Sequence, residues 1–461
     1  MKINSKTLCI HGHFYQPPRE NPFSGVIPIE KGAEPFANYN AKISAECYEP
    51  NARLDNFGLI SFNFGPTLAN WLSKHAGTTY RRIIEADRRN KSYRGVGNAL
   101  GQAYNHSILP LANRRDKETQ IAWGITDFHH RFGHPPPGMW LPEMAVDYET
   151  LEVMAERGIE FSILSPHQAR QSVEPSRLYW VRLPAGRRMA IFFRDETLSN
   201  RLAFDPYLTE DASRFVEFLD NTTNGNGGLY LLAADGETFG HHQPGREQFV
   251  HDLLAQLAPR HGYNVTYLSH YLQEHQPAQE IEIVENTSWS CRHGLARWNE
   301  GCSCTAGGSQ WKRPLRQAID RLAWEIDALY LAETHGRVND AWQMRHDYIQ
   351  VMLGQVDPRT FLSSHSHSSL RTEEETRLLA LLEAQPYRQA MYTSCGWFFD
   401  DLGRIEPGLL IAYAAKAIQL VQQATGVSLA AGFRRDLKAV TSAISGQTGR
   451  DIYDEIASHQ A

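Results

Sequence analysis

Short apolar runs alternate with longer amphipathic segments over roughly the first 275 residues. Between the runs lie helix-like segments such as Glu149–Arg157 and Arg246–Leu257. Because alternating strands and helices produce parallel strands joined by crossover helices, the pattern predicts an α/β fold with a seven-stranded (β/α) barrel. A doubly wound open sheet is the alternative. The runs are Thr7–Phe14, Leu59–Phe64, Asn98–Tyr104, Gly138–Met144, Phe161–Ser165, Met189–Arg194 and Leu229–Ala234.

The pattern changes after about residue 311, where apolar residues recur at helical spacing with few strand signals. A segment before this point, residues 286–310, holds four glycines and three cysteines, which disfavours regular structure. We therefore predict a catalytic barrel over residues 1–285, a loop-rich bridge contributing to the cleft over 286–310, and an α-helical bundle domain over 311–461. The predicted helices of the bundle are Leu315–Ala332, Thr372–Glu383, Gly408–Gln423 and Phe433–Ile444.

Composition narrows the class of protein. Hydrophobic residues make up 42% of the 461 residues, but no run of eighteen apolar residues is present, which argues against a membrane-spanning helix. The 52 acidic residues outnumber the 46 basic ones, which argues against nucleic-acid binding. The first ten residues are too polar for a signal peptide, and six cysteines do not make a disulfide scaffold. We expect a cytoplasmic protein; the composition does not indicate its oligomeric state.

Polar side chains follow five of the predicted strands. In β/α barrels the functional groups lie at the carboxyl ends of the strands, so we expect these side chains to converge on one cleft. The five segments are His11–Pro17, Gln102–His106, Trp140–Glu143, Arg194–Glu196 and Asp235–His242.

Two acidic residues among them carry the chemical hypothesis. Glu143 lies in a strand that should be buried, where a carboxylate is costly without a partner or a function, although a salt bridge or a helix N-terminus also explains it. Asp235 ends a very apolar run before a glycine, where a turn or N-cap aspartate is the simpler alternative. Two carboxylates on different strand ends, near aromatic residues and histidines, fit acid/base or nucleophilic chemistry at a glycosidic bond.

Three segments together resemble glycoside hydrolase family 57: HGHFYQPPREN at the first strand, WLPE at Trp140–Glu143, and DGETFGHH at Asp235–His242. The segments SWSCRHGLARWNEGCSC (288–304) and TSCGWFFDDLGRIE (393–406) resemble the branch in which a domain of unknown function follows the barrel. The resemblance implies a seven-stranded (β/α) barrel followed by helices. It also implies an α-glucan or oligosaccharide substrate, handled as by amylases, 4-α-glucanotransferases or branching enzymes, without a cofactor.

Carried onto this chain, the resemblance makes Glu143 the nucleophile and Asp235 the general acid/base of a retaining double displacement that uses no metal. Arg194 or a neighbouring histidine would keep Glu143 ionised, and burial or the charge of Glu143 would raise the pKa of Asp235. The remaining predicted residues bind substrate. They are His11, His13 and Gln16 of the first motif, His106 in the place of the second, Trp140, Arg194 and His242, and Trp298, Trp397 and Asp400 as replacements for the fifth.

Two other functions remain open at this point. A His-x-His pair after a first barrel strand is also typical of the metal site of amidohydrolases, so a metal-dependent amidohydrolase or polysaccharide deacetylase is one alternative. A catalytically silent carbohydrate-binding protein is the other. In the bridge, three cysteines and a histidine have the composition of a zinc site but not a standard spacing, so we expect a reduced structural cluster; they are Cys291, His293, Cys302 and Cys304.

Overall fold

The structure is a computed structural model that describes residues 5–304 and 308–458. The chain divides into two compact units. The first contains the chain up to Pro18 and the segments Ile29–Ala103 and Phe128–Trp289. The second contains Arg19–Pro28, Tyr104–Asp127 and the chain from Ser290 onward. Within the described ranges, no helix has both the length and the apolar character needed to cross a bilayer.

The first unit is built on β-strands with helices between them. The strands are β1 (Lys6–Phe14), β2 (Ser61–Phe64), β3 (Ala99–Gln102), β4 (Met139–Trp140), β5 (Phe161–Leu164), β6 (Leu178–Arg182), β7 (Arg188–Phe193), β8 (Gly228–Asp235), β9 (Tyr263–Val265) and β10 (Gln279–Ile281). The α-helices are Tyr39–Ile43, Glu49–Arg53, Pro66–His75, Gly77–Arg94, Tyr148–Glu156, Glu196–Phe204, Pro206–Thr209, Ala212–Thr223, Arg246–Asp252, Ala258–Arg260 and Leu268–Glu274.

Seven of these strands run parallel in the order β1, β2, β3, β4, β5, β7, β8, and β8 pairs with β1. One bridge between Gly138 and Phe161 joins β4 to β5. The backbone nitrogen of Asp195, just after β7, donates to the carbonyl oxygen of Leu231 in β8 at 2.8 Å. The predicted seven-stranded barrel is confirmed, because each predicted strand segment overlaps one of these seven strands.

Three further strands were not predicted. β6 lies antiparallel to β7, β10 pairs with β6, and β9 pairs with the start of β1. β9 and β10 have three residues each, of which one is buried. β9 and β10 therefore lack the continuous apolar run that marks a strand covered on both faces, and this is why the sequence did not predict them.

The packing of β8 against β1 fixes the position of the following turn. An added Cβ at Gly236 would lie 2.4 Å from the ring of Phe14, so a larger residue does not fit there. Glycine at this position therefore lets Asp235 and Glu237 lie directly against the end of β1.

The second unit is helical. The boundary at residue 127 falls within the helix Arg114–Phe132. Three of the four predicted helices are confirmed over their full length. The fourth, predicted over Phe433–Ile444, is wrong beyond residue 439, since Val440 is extended and Thr441 bridges to Thr448. The other helices are Ala296–Asn299, Lys312–Thr334, Ala341–Asp347, Ile349–Met352, Pro358–His365, Thr372–Ala390, Ser394–Phe398, Ile405–Thr425, Ala430–Asp436 and Gly449–Ser458.

A buried ion cluster ties distant segments of the second unit together. Asp116 is 5% exposed and pairs with Arg345 at 3.0 Å and with Arg388 at 2.6 Å. Arg388 also pairs with Asp327 at 2.7 Å. Burial alone would raise the pKa of Asp116, but the charges of Arg388 and Arg345 outweigh it and lower the pKa to about 2.

We expect Asp116→Asn to destabilise the protein by about 3–5 kcal/mol, because it leaves two buried guanidinium groups short of a negative charge. Chemical denaturation near pH 7 measures the loss. Since the pKa of Asp116 is depressed in the folded state, the difference from wild type should shrink as the pH falls from about 4 to about 2.

Asp454→Asn is the matched control, because Asp454 forms its ion pairs with Arg434 and Arg450 at the surface of the same unit. It should cost less than about 1 kcal/mol. Equal losses in the two variants would contradict the assigned role of Asp116.

Candidate active site

The carboxyl ends of three neighbouring strands place polar residues side by side. His13 of β1 is aligned with Asp235 of β8 on one side and with Asn63 of β2 on the other. The side chain of Asn63 hydrogen-bonds to a ring nitrogen of His11 at 3.2 Å and to one of His13 at 3.1 Å, and donates to Gln102 at 2.6 Å. Asn63 therefore holds both histidines of the first motif in place.

Both histidines are neutral near pH 7. Burial lowers the pKa of His11 to about 3 and that of His13 to about 4. Trp140 of β4 stacks on both rings, with centroid distances of 5.0 Å to His11 and 4.8 Å to His13. The structure thus brings three predicted site residues into one stack.

Trp289 connects this stack to Glu143. Its ring meets Trp140 edge-on at 5.2 Å, and its Nε1–H donates to Oε2 of Glu143 at 3.2 Å. Its backbone nitrogen also donates to the carbonyl oxygen of Glu143 at 3.0 Å. The guanidinium of Arg194 lies 5.4 Å from the centre of the Trp289 ring, and its Nε donates to Ser165 at 2.6 Å.

The backbone at Glu143 is strained. Glu143 has φ 58° and Met144 has φ 49°, both in the left-handed region that non-glycine residues rarely adopt. Each such residue costs on the order of 1–3 kcal/mol and persists only where its surroundings fix it. Strain of this kind concentrates at functional sites, which agrees with the choice of Glu143 as a site residue.

Asp235 ends β8 as an exposed residue between the buried Ala234 and Gly236. Its carboxyl reaches solvent, but protein atoms crowd around it. This desolvation, followed by the negative charges of Glu237 and Glu143, raises the pKa of Asp235 to about 8. Asp235 is therefore largely protonated near pH 7, and Glu143 lies close enough for its charge to act on it.

Glu237 is a third acid of the site, to which the sequence analysis assigned no role. It is 6% exposed, and its Oε1 accepts from the hydroxyl of Tyr48 at 2.6 Å and from the backbone nitrogen of Tyr15 at 3.2 Å. Gln16 of the first motif also hydrogen-bonds to Glu237. Burial raises the pKa of Glu237 to about 7, against the effect of these hydrogen bonds. Its position two residues after Asp235 was the available signal.

One of the remaining predicted residues, His242, is exposed at the end of the first unit's DGETFGHH segment. Protein atoms around its ring still remove part of its hydration, and this effect, followed by the charge of His241, lowers the pKa of His242. His106 belongs to the second unit, where its Nδ1 lies 2.5 Å from the hydroxyl of Ser394. Trp298 and Trp397 are buried there. Their roles in substrate binding stay predictions, as does that of Asp400, whose carbonyl oxygen accepts from Trp311 at 3.2 Å.

A cavity of about 630 Å³ lies elsewhere in the first unit. Glu160, Phe161 and Arg188 line it, at the amino ends of β5 and β7. None of the described site residues at the carboxyl ends lines this cavity. Because barrel chemistry is carried by the carboxyl ends, the acidic residues, and not this cavity, form the candidate active site.

Residues 29–284 match the model of glycosyl hydrolase family 57, which covers more than half of the 461 residues. The chain belongs to this family. Residues 308–461 match a domain of unknown function, DUF3536. The resemblance stated from the three barrel motifs and the two later segments is thereby confirmed.

Two curated relatives are similar over part of their length. An alpha-amylase 1 from Dictyoglomus thermophilum is 26% identical over 186 residues, which cover 39% of this chain and 26% of the relative. A 4-alpha-glucanotransferase from Thermococcus litoralis is 21% identical over 246 residues, which cover 50% of this chain and 36% of the relative. The chain thus spans about a quarter of the amylase and about a third of the glucanotransferase.

Solved structures share the fold. An exo-type maltose-forming amylase from Pyrococcus sp. ST04 superposes with a TM-score of 0.72 at 15% identity, covering 94% of this chain and 83% of that one. A family 57 branching enzyme from Thermococcus kodakaraensis superposes with a TM-score of 0.60 at 16% identity, covering 98% and 94%. At these identities the likeness shows the fold alone.

The raised pKa of Asp235 makes a prediction about stability. A carboxyl with a folded-state pKa above its unfolded value destabilises the fold as the pH rises between the two values, here from about 4 to about 8. We expect the Tm of Asp235→Asn, relative to wild type, to rise across this range. Calorimetry at several pH values measures it.

Glu210→Gln, which removes an exposed acid that does not act on Asp235, is the control and should show a constant difference in Tm. A pH-independent difference for Asp235→Asn would mean that its pKa is not raised.

Proposed function

We propose that this chain is a retaining glycoside hydrolase or transglycosylase that acts on an α-glucan, with Glu143 as nucleophile and Asp235 as general acid/base. The observation that carries the proposal is the environment of Asp235, in which burial, followed by the charges of Glu237 and Glu143, raises the pKa of the carboxyl to about 8. Two acids that interact, of which one is kept protonated, are the pair that a retaining glycosidase needs. Family membership supports the reaction class.

In the first step the protonated carboxyl of Asp235 gives its proton to the glycosidic oxygen while a carboxylate oxygen of Glu143 attacks the anomeric carbon. The bond between that carbon and the glycosidic oxygen breaks, and the leaving sugar departs with the proton. A glycosyl ester on Glu143 results. The indole N–H of Trp289 orients the attacking carboxylate, since it donates to one of its oxygens at 3.2 Å.

In the second step the carboxylate of Asp235 takes a proton from the acceptor, whose oxygen attacks the same carbon and releases Glu143. Water as acceptor gives hydrolysis, and a sugar hydroxyl gives transfer. Two inversions restore the original anomeric configuration. Retaining enzymes of this type hold their carboxyl groups about 5–5.5 Å apart.

Two buried donors on β3 and β4 fit a substrate rich in hydroxyl groups. Nε2 of Gln102 and Nε1 of Trp140 have no hydrogen-bond partner among the described residues. A buried donor left unsatisfied costs about 1–3 kcal/mol, so a bound group that accepts from it gains that amount. Sugar hydroxyls are such acceptors, and we assign both side chains to substrate binding.

No observation favours a second function. The ring nitrogens of His11 are directed at Ser61 and Asn63, at 3.0 and 3.2 Å, and the ring is stacked on Trp140. These contacts do not favour the amidohydrolase alternative. Asp235 has a carboxyl that stays protonated near pH 7, which a catalytically silent binding protein does not need. This observation does not favour the binding-protein alternative.

The proposal is tested by incubating the full chain with amylose, glycogen and maltooligosaccharides. Chromatography of the products separates hydrolysis, disproportionation and branching, and proton NMR of the first products gives the anomeric configuration. We expect products that retain the α configuration. Absence of any product, or products of inverted configuration, would contradict the proposal.

We expect Glu143→Gln and Asp235→Asn each to fold normally and to lose turnover by roughly 10³-fold or more, because each removes one half of the double displacement. Initial rates on a maltooligosaccharide measure the loss, and Tm values establish folding. A rate close to wild type in either variant refutes the role of that residue. With Asp235→Ala, added azide should give a glycosyl azide of retained configuration, which separates an acid/base from a nucleophile.

We expect Trp289→Phe to lower kcat by roughly 10- to 100-fold, since it removes one hydrogen bond to the charged Glu143 while keeping an aromatic ring. Trp180→Phe is the matched control, because Trp180 is also half-buried and has Arg188 at 4.0 Å from its ring centre. The control should keep wild-type kcat. Equal losses in both variants would assign the effect to packing.

A further inference from the structure

Four side chains with metal-ligand atoms converge in the second unit. One ligand atom from each of Cys291, His293, Cys302 and Cys304 lies within 4.8 Å of the others. Across residues 5–304 and 308–458, no other set of three or more histidines, cysteines or acids converges in this way. None of these four residues has a role in the mechanism proposed above.

The distances match the edges of a metal-centred tetrahedron. The sulfur of Cys291 lies 3.6 Å from that of Cys302 and 3.9 Å from that of Cys304. Nδ1 of His293 lies 3.2 Å from the sulfur of Cys304. Bonds of about 2.3 Å from zinc to sulfur and about 2.0 Å to nitrogen give edges of about 3.8 Å between two sulfurs and about 3.5 Å between sulfur and nitrogen.

The chain supplies the ligands as two close pairs, Cys-x-His and Cys-x-Cys, separated by eight residues. The short helix Ala296–Asn299 lies between the pairs, and each of its flanks turns at a glycine with positive φ, Gly294 at 69° and Gly301 at 95°. A Cβ at Gly301 would lie 2.2 Å from the hydroxyl of Ser309. The fold therefore brings the second pair back onto the first.

Charge and hydrogen bonding around the cluster suit a zinc complex. Three thiolates and one Zn²⁺ carry a net charge of −1, and the side chain of Arg297 donates to the sulfur of Cys302. The buried Lys312 donates to the carbonyl oxygen of Arg297 at 2.9 Å. The second ring nitrogen of His293 lies 3.5 Å from the hydroxyl of Ser303, a contact that orients the imidazole as outer-shell partners of zinc ligands do.

The geometry points to a structural Zn²⁺ site formed by Cys291, His293, Cys302 and Cys304. With four protein ligands the coordination is complete, as in structural sites, and no position is left for substrate. A disulfide needs a sulfur–sulfur distance of about 2.05 Å, well below the distances in this cluster. The sequence predicted reduced cysteines without a metal, whereas the structure points to a metal-bound set. The difference arises because the spacing of the four residues along the chain did not show that their ligand atoms meet.

Metal analysis of the full chain, purified in reductant without chelator, tests the site. We expect about one zinc ion per chain, released when an organomercurial reagent blocks the thiols and detected with a chromophoric zinc indicator. Cobalt exchanged into the site should show the visible bands of tetrahedral Co²⁺ and a near-ultraviolet thiolate charge-transfer band. Chelation or thiol blocking should also lower Tm, since bound metal stabilises the folded state.

The variant Cys302→Ser with Cys304→Ser should lose the zinc, while the control Cys395→Ser, which changes a half-buried cysteine of the same unit outside the cluster, should keep it. If the double variant does not fold, the thiol-blocking release from wild type still decides the question. Wild-type protein that neither contains zinc nor takes up Zn²⁺ or Co²⁺ when reduced would overturn the proposal. The proposal would also be overturned if the folded double variant retained zinc, or if two of these cysteines formed a disulfide in protein kept in reductant.

Discussion

Burial of acidic groups beside one another at the carboxyl end of β8 is the constraint on which the proposed active site depends. Asp235 and Glu237 follow one another at this strand end, and the charge of Glu143 also acts on Asp235. Burial disfavours the charged form of both carboxyl groups, and at Asp235 the charges of Glu237 and Glu143 add to this effect. The pKa therefore rises to about 8 for Asp235 and, through burial alone, to about 7 for Glu237. A proton is thereby held at Asp235 near neutral pH, which is the property that a general acid requires.

The neighbouring residues do not neutralise these acids. His11 and His13 could have offset the negative charge, but burial keeps both imidazoles neutral near pH 7. Asn63, an uncharged residue, satisfies their ring nitrogens, and Trp140 covers their faces. The site therefore places neutral histidines beside acids whose negative charge they do not offset. Burial is the common cause, since it keeps the imidazoles neutral and raises the pKa of Asp235 and of Glu237.

Much of this arrangement could be predicted from the sequence, because the signals were local. Continuous apolar runs marked β1 and β8, and polar residues directly after them marked the cleft. Asn63, Glu237 and Trp289 were missed because their roles depend on contacts across 50, 222 and 146 positions of the chain, to His13, Tyr15 and Glu143. The short strands β9 and β10 were missed for a different reason, since so few of their residues are buried.

The turn at Glu143 shows why such long-range contacts matter. The apolar run predicted a strand as far as Met144, yet β4 ends at Trp140 and the next residues turn into left-handed conformations. Local preference opposes this turn, so other segments must hold it. Trp289 donates to the Glu143 carbonyl oxygen at 3.0 Å, and Gln168 donates to that of Met144 at 2.7 Å. Both donors come from parts of the chain outside β4, so tertiary structure sets the orientation of the proposed nucleophile. The strained backbone at Glu143 and Met144 is the energetic cost of that orientation.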